Sequence, residues 1–159
     1  MKKNMFALSL LFLFISTSQT QIKVYKGTSS FSNDLIFNLN NNKVYKKNSS
    51  FFSDIVCNIS GKKIYKGNSS FSKDIVYTLS ADKVYTGNST FSQDVAMTIK
   101  NGKIYRGNSA FSKDIIATIK GGNVYSGNSS FSKDILFRID GKVTMIELVA
   151  IWYSVNYAY

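Results

Sequence analysis

Histidine and proline are absent from the 159-residue chain, cysteine occurs once, and acidic residues number only nine. Without histidine there is no imidazole for general acid–base catalysis and no Ser-His-Asp triad. One cysteine excludes an intrachain disulfide and, with no histidine beside it, nearly excludes a zinc site of His/Cys type. The nine acids face 20 Lys and Arg, a formal net charge of +11. What is abundant is apolar: 44% of residues are hydrophobic and 14% aromatic, led by 12 Phe and 10 Tyr. That composition excludes a disordered chain despite the charge imbalance. The length fits one domain able to bury a real core.

Residues 1–20 differ from the rest. Lys2 and Lys3 precede an apolar run from Met5 to Ile15, and Ser16, Thr17 and Ser18 supply the small residues of a cleavage site. The run is too short to cross ~30 Å of hydrocarbon as a helix. It reads as a signal peptide, with a mature start near Gln19 or Gln21. No Cys follows it to carry a lipid anchor. The expectation is an exported protein, periplasmic or secreted to the cell surface. Removal of Lys2 and Lys3 leaves 18 basic against 9 acidic groups, a net +9.

Residues 21–159 are expected to form a single repeat-built domain. From Lys23 one twenty-residue unit is written six times over residues 23–142, without a gap: KVYKGTSSFSNDLIFNLNNN, for example, and KIYKGNSSFSKDIVYTLSAD. Each unit therefore fills the same structural slot. Each carries a short strand signal, such as Ile64–Tyr65, and a longer alternating one that starts after a repeated Asp. Leu35, Ile55, Ile75, Val95, Ile115 and Ile135 are expected to face inward, followed by the third position of the same strands (Leu39, Ile59, Leu79, Ile99, Ile119, Ile139). The residues between them, Ile36 to Leu136, are expected on an outer face that is only partly polar.

Units are joined by Asn-Gly, Gly-Gly, Gly-Lys or Asn-Asn pairs, which suit two-residue antiparallel hairpin turns. Inside a unit the Gly-Asn-Ser-Ser-Phe-Ser run makes a longer loop. Twelve antiparallel strands follow, and the fold class is all-β.

After Gly141 the period breaks. Thr144-x-x-Glu147 is a capping box, and the residues beyond it are apolar on nearly every side, with only a thin stripe through Glu147, Ala150 and Ser154. A helix over 144–157 would be ~21 Å long and needs burial all round. Twelve strands close at a wall about 11–13 Å from the axis, leaving a hole that a helix of ~10–12 Å diameter fills. The expected fold is a closed antiparallel barrel with the C-terminal apolar helix inside. Its rival is a β-solenoid with a capping helix, which two-residue joints disfavour because they cannot link parallel strands.

The tandem Ile/Val-Tyr-x-Gly-Asn-Ser units joined by Gly-rich turns resemble the bacterial beta-flower family, the four-fold beta-flower domain and its relatives, over Lys23 to Gly141. The resemblance implies a symmetric, shallow barrel of repeated hairpins and assigns no function; six units depart from its four-fold pattern. The helix-filled barrel is also similar in architecture, without any shared motif, to Tubby-like proteins.

Two constellations recur in every unit. Asp34, Asp54, Asp74, Asp94, Asp114 and Asp134 would form a carboxylate ring if they held a cation, but such residues ordinarily cap their own Asn-Ser-Ser loops. Phe31 to Phe131 and Tyr25 to Tyr125 would stack sugars or bases if exposed; they are expected to fold back onto the loops and barrel ends. Cys57, where other units have Phe37, Tyr77, Met97, Ala117 and Phe137, reads as a core residue. Lysines are spread over all units, and every polar motif is used six times over. The reading is therefore of a non-enzymatic protein with no catalytic, cofactor-binding or metal-ligating residues and no cofactor, acting as a binding or scaffold protein. The alternative is a lipid or membrane-surface binding module. Partners are expected among anionic glycans or lipid surfaces rather than nucleic acid, and the chain is expected to be a monomer.

Overall fold

Short turns and longer loops alternate along the chain, and that alternation sets the architecture of the computed structural model, which describes residues 21–159. Residues 1–20, read in the sequence as a signal peptide, lie outside the described residues. The short strands are β1 (Ile22–Lys26), β3 (Lys43–Lys46), β5 (Lys63–Lys66), β7 (Lys83–Thr86), β9 (Lys103–Arg106) and β11 (Asn123–Ser126). The six-residue strands are β2 (Leu35–Asn40), β4 (Ile55–Ser60), β6 (Ile75–Ser80), β8 (Val95–Lys100), β10 (Ile115–Lys120) and β12 (Ile135–Asp140). Each strand pairs antiparallel with its neighbours in sequence, and β1 pairs with β12 to close a twelve-stranded barrel. Closure through an antiparallel seam removes the solenoid alternative.

Because connections alternate between the two ends, the two-residue turns lie at one end and all six long loops at the other. Three turns hold positive φ at both central residues: Asn41 and Asn42, Asn101 and Gly102, Gly121 and Gly122. That is the backbone of a type I′ hairpin, whose twist matches the flanking strands. At Gly122 (φ +80°) an added Cβ would lie 2.8 Å from the Ile139 carbonyl oxygen, so the turn needs glycine for space as well as for conformation.

One irregularity in every unit changes which residues face in. The pairing shifts by a residue between Val24 and Tyr25, so that Val24 opposes Phe37 while Tyr25 opposes Leu35, and Ile36 is left over as a bulge. The same shift recurs in the other units. A bulge reverses the facing of the residue before it relative to simple alternation. Leu35, Ile75, Val95 and Ile115 are accordingly buried beside their Tyr partners but do not join the central core cluster. Ile36 belongs to that cluster, with Val56, Val76, Ala96 and Ile116 packed against it. The expectation that Leu35 and its equivalents face inward, with Ile36 and its equivalents outward, is thus corrected by the bulge in the first five units, while Leu136 of the sixth remains exposed.

The core has three inward layers. Val24, Val44, Ile64, Val84, Ile104 and Val124 form a ring that is wholly inaccessible to solvent. Phe37, Cys57, Tyr77, Met97, Ala117 and Phe137 form the next ring, and Leu39, Ile59, Ile99 and Ile139 belong to the third. Inside lies α1 (Met145–Ala158). It begins at the turn end, where Gly141 swings the chain off the wall against Ile22. The capping box forms: Glu147 N–H donates to Thr144 Oγ1, and Thr144 N–H donates to Glu147 Oε2 at 2.7 Å. Helix residues Leu148 to Trp152 and Ser154 are buried in the barrel core.

The helix leans on one sector of the wall. It approaches β4 more closely than any other strand, because Ala150 and Ser154 present little bulk and Cys57 is small. Cys57 Sγ lies 3.7 Å from the Ala150 carbonyl oxygen and 3.5 Å from Ser154 Oγ. Trp152, about 200° round the helix from Ala150, reaches Phe137 with ring centroids 6.4 Å apart. The last turn departs from the all-round burial read in the sequence, since Asn156 to Ala158 emerge at the loop end and are exposed.

Depth along the helix therefore sets mutational cost. Trp152 is 9% exposed and Tyr157 67%. Trp152→Asp places a charge among apolar side chains and is expected to unfold the domain, beyond the roughly 3–5 kcal/mol of a core Trp→Ala change. Tyr157→Asp is expected to cost under about 1 kcal/mol. Thermal unfolding of both variants checks this; equal midpoints would refute the depth argument.

Candidate functional site

The six loops at one end share a single clasp. In the first unit Ser29 Oγ donates to Asp34 Oδ2 and accepts the Phe31 N–H at 3.1 Å, while Asp34 N–H donates to the Phe31 carbonyl. The Ser–Asp bond, 2.6 Å in the first unit, recurs at 2.5 Å from Ser49, Ser69, Ser89, Ser109 and Ser129 to the Asp five residues on. Each Asp thus accepts from its own loop, and the local turn role is what the six carboxylates perform. The loop is also held from the neighbouring strand. Asn38 Nδ2 donates to the carbonyls of Lys47 and Ser49, and Asn58, Thr78, Thr98 and Thr118 bond the equivalent carbonyls.

This clasp fixes the backbone on both sides of Phe31 without engaging its ring. Phe31, Phe51, Phe71, Phe91, Phe111 and Phe131 are 67–75% exposed, as is the extra Phe52. The expectation that these rings fold back is therefore wrong for the phenylalanines. The tyrosines do pack down: Tyr25 and Tyr125 are buried and the other four half-buried. The physical reason is position. Each Tyr sits opposite the first residue of a long strand, whereas each Phe sits at a loop tip with no wall behind it. The period places six exposed rings around one rim of the barrel.

Inside that rim the register builds a second ring. Lys26, Lys46, Lys66, Thr86, Arg106 and Ser126 pair directly with Phe137, Phe37, Cys57, Tyr77, Met97 and Ala117. Directly paired residues share a sheet face, so four cations line the inner side of the mouth. Lys26 and Lys46 share a recess with Ala158 and Tyr159 at the C-terminal end of α1, where the helix dipole favours positive charge. The loop end carries these four with Lys47, Lys73, Lys113 and Lys133, against the six clasped Asp. The larger basic excess lies at the turn end, which holds Lys43, Lys62, Lys63, Lys83, Lys100, Lys103 and Lys120 among others, with Asp82, Asp140 and Glu147.

Between mouth and core stands an aromatic cluster. Tyr77 and Tyr153 meet edge-on at 6.0 Å, and Tyr153 and Tyr157 lie 5.1 Å apart. Burial raises the Tyr77 phenol above its ordinary range, with Tyr157 adding to the effect, and raises Tyr153 as well. Cys57 is fully buried, and burial pushes its thiol up to about 12 although the Ser154 hydroxyl acts in the opposite sense. A thiol so disposed is protonated and shielded, the opposite of an activated nucleophile. That agrees with its reading as a core residue.

Sequence reasoning located the loops, the Asp role and Cys57. It missed the mouth cations, although the signal was present: Lys26 lies two residues beyond the inward Val24, so alternation alone puts it on the same face.

A family model described as 6-fold beta flower protein matches residues 24–152. No curated protein and no solved structure matches the chain. The six units, a departure from the four-fold pattern, are thus the count in the family matched.

Burial of Cys57 predicts a pH limb. A folded value raised above the unfolded one gives stability that is complete below about pH 9 and lost as the pH climbs toward about 12. Cys57→Ala, which copies Ala117, is expected to cost about 1 kcal/mol at pH 8 and to flatten the decline above pH 9. Urea midpoints between pH 8 and 10.5 measure both; parallel curves for the two proteins would contradict the assignment.

Proposed function

The chain belongs to the 6-fold beta flower protein family, and we propose that it is an exported, non-enzymatic binding protein that docks through its loop rim on a lipid bilayer surface. The observation that carries the reading is the crown of six solvent-exposed phenylalanines. Six equivalent loops place their tips at one level, and a flat, isotropic surface engages all of them at once. A smaller asymmetric partner would leave part of the ring in water. Burial of apolar rings at the acyl boundary, supplemented by attraction of cations to anionic lipid, is how peripheral proteins hold membranes.

Charge distribution alone does not select this reading, because lysines occupy both ends of the barrel. The exposed rings do. The Ser–Asp clasps favour it too, since they hold each Phe in place before contact and so reduce the ordering cost of docking. The absence of histidine and the sixfold use of every polar motif support the non-enzymatic part. Architectural likeness to Tubby-like barrels contributes nothing to the argument.

Full burial of a Phe side chain stabilises by roughly 1.5–3 kcal/mol. Replacing Phe31, Phe71 and Phe111 by Ser is therefore expected to lower partitioning onto phosphatidylcholine vesicles more than tenfold, even for half-inserted rings. The thermal midpoint should stay unchanged because the rings touch no core. Co-sedimentation measures the partitioning. Equal binding by parent and variant would overturn the proposal, as would a parent that ignores vesicles and binds glycans on an array.

Export is tested separately. Intact-mass analysis of exported material is expected to show a chain beginning near Gln19 or Gln21, and retention of Met1 to Thr17 would contradict it.

A further inference from the structure

The sixfold pattern is broken most in the second unit. Position 47 is Lys, where the other five units place Gly27, Gly67, Gly87, Gly107 and Gly127. Its backbone nevertheless keeps the left-handed conformation of those glycines, with φ +51°. A side chain there carries a conformational cost that glycine avoids. The same unit doubles the rim aromatic, with Phe51 and Phe52 both exposed, and it has Lys46 in the mouth ring. Beside it, across β2, stands Lys26 of the first unit.

One of these departures, Lys47, lines a recess. A cavity of about 350 Å³ opens at the loop end between the first two units, with Lys26, Lys46 and Lys47 on its walls and Phe37 and Tyr159 among its apolar lining. Asp34 also lines it, its carboxylate accepting from Ser29 Oγ at 2.6 Å, so that three lysines face one acidic side chain. The Lys47 carbonyl is tied down by Asn38 Nδ2 at 2.8 Å, and Asn38 in turn accepts from Gln21 Nε2 at 3.1 Å. Three lysines thus border a concave site whose backbone is held by hydrogen bonds. The comparable recess two units away is bordered by Tyr77, Thr86, Tyr153 and Tyr157 and has no cation on its walls.

We infer that the recess walled by Lys26, Lys46 and Lys47 is a subsite for a phosphate-type anion. Ammonium groups act there as point donors to phosphate oxygens, and the aromatic lining accepts the organic part of the ligand. The anion can belong to a lipid headgroup or be free in solution. The site deepens the docking reading by naming what one sector of the rim selects, and it fails independently of that reading.

The test uses the full mature chain with Lys46→Gln, Lys47→Gly and the control Lys66→Gln. Lys47→Gly restores the residue of the other units and so preserves the fold. Lys66→Gln removes a cation from the same mouth ring outside the recess. The readout is the ratio of binding to vesicles containing phosphatidylglycerol over vesicles of phosphatidylcholine alone. Lys46→Gln and Lys47→Gly are each expected to lower that ratio about fivefold or more, with the control falling less than twofold. Binding to phosphatidylcholine, which the phenylalanines carry, should survive in all three. A parallel titration with inorganic phosphate follows the backbone amides of Asp34 and Lys47 by NMR. Saturable shifts there, abolished in Lys46→Gln, support the site and show that a free anion suffices. Selectivity lost in vesicles without phosphate shifts supports it and restricts the ligand to lipid. If Lys66→Gln lowers the ratio as much as Lys46→Gln, the charge acts diffusely and the subsite is refuted. Loss of phosphatidylcholine binding in the three-Phe variant alone leaves these ratios untouched and bears only on the docking reading.

Discussion

Twelve strands enclose more space than their own side chains fill, and the rest of this molecule answers to that constraint. The wall supplies Val and Ile in its first inward ring without exception, because every unit meets the same wall neighbours there. The next ring runs Phe37, Cys57, Tyr77, Met97, Ala117, Phe137, the most varied inward position. Its variation follows from what fills the hole. An α-helix has no sixfold symmetry, so a sixfold wall fits it only if one layer changes size from unit to unit. Cys57 admits the Ala150 and Ser154 face, and Phe137 meets Trp152 on the other side. The small stripe on the helix is the face of closest approach.

The two ends of the barrel obey different chemistry. At the turn end, two residues suffice to reverse the chain, so little protrudes beyond the lysines. At the loop end, eight residues separate Lys26 from Leu35, enough to build a clasp and raise an aromatic ring clear of the wall. Neither the clasp nor the ring is needed to close the barrel, since the turn end shows how short a connection can be. The cations inside the mouth share the same end for a separate reason, register against the inward ring, and Lys26 and Lys46 stand beside the emerging end of α1, where the helix dipole favours positive charge.

Much of this was legible in the chain itself. The gapless period and the two-residue joints dictate consecutive antiparallel pairing, and the all-round apolar tail demands an enclosure of the size that twelve strands provide. The facing of Leu35 and Ile36 was not legible. Both are aliphatic, so the pattern carries no mark of the bulge, and only the pairing of Tyr25 with Leu35 reveals it. The exposure of Phe31 was hidden for a related reason. Aromatic content argues for burial in general, but a loop tip offers nothing to pack against, and that is a matter of where the chain is in space.

Repetition also limits where specificity can reside. A feature present six times gives six equal sites around a rim, which suits adhesion to a surface but cannot orient a single ligand. Only departures from the repeat can do that. Some departures are absorbed by packing: the size changes opposite α1 have a structural cause in the helix. Lys47 has none of that kind. Its five counterparts are glycine, and its positive φ is costly for a side chain. Within a scaffold that otherwise explains its own sequence, a strained cation beside two others at the edge of a concavity is where selection among ligands can begin.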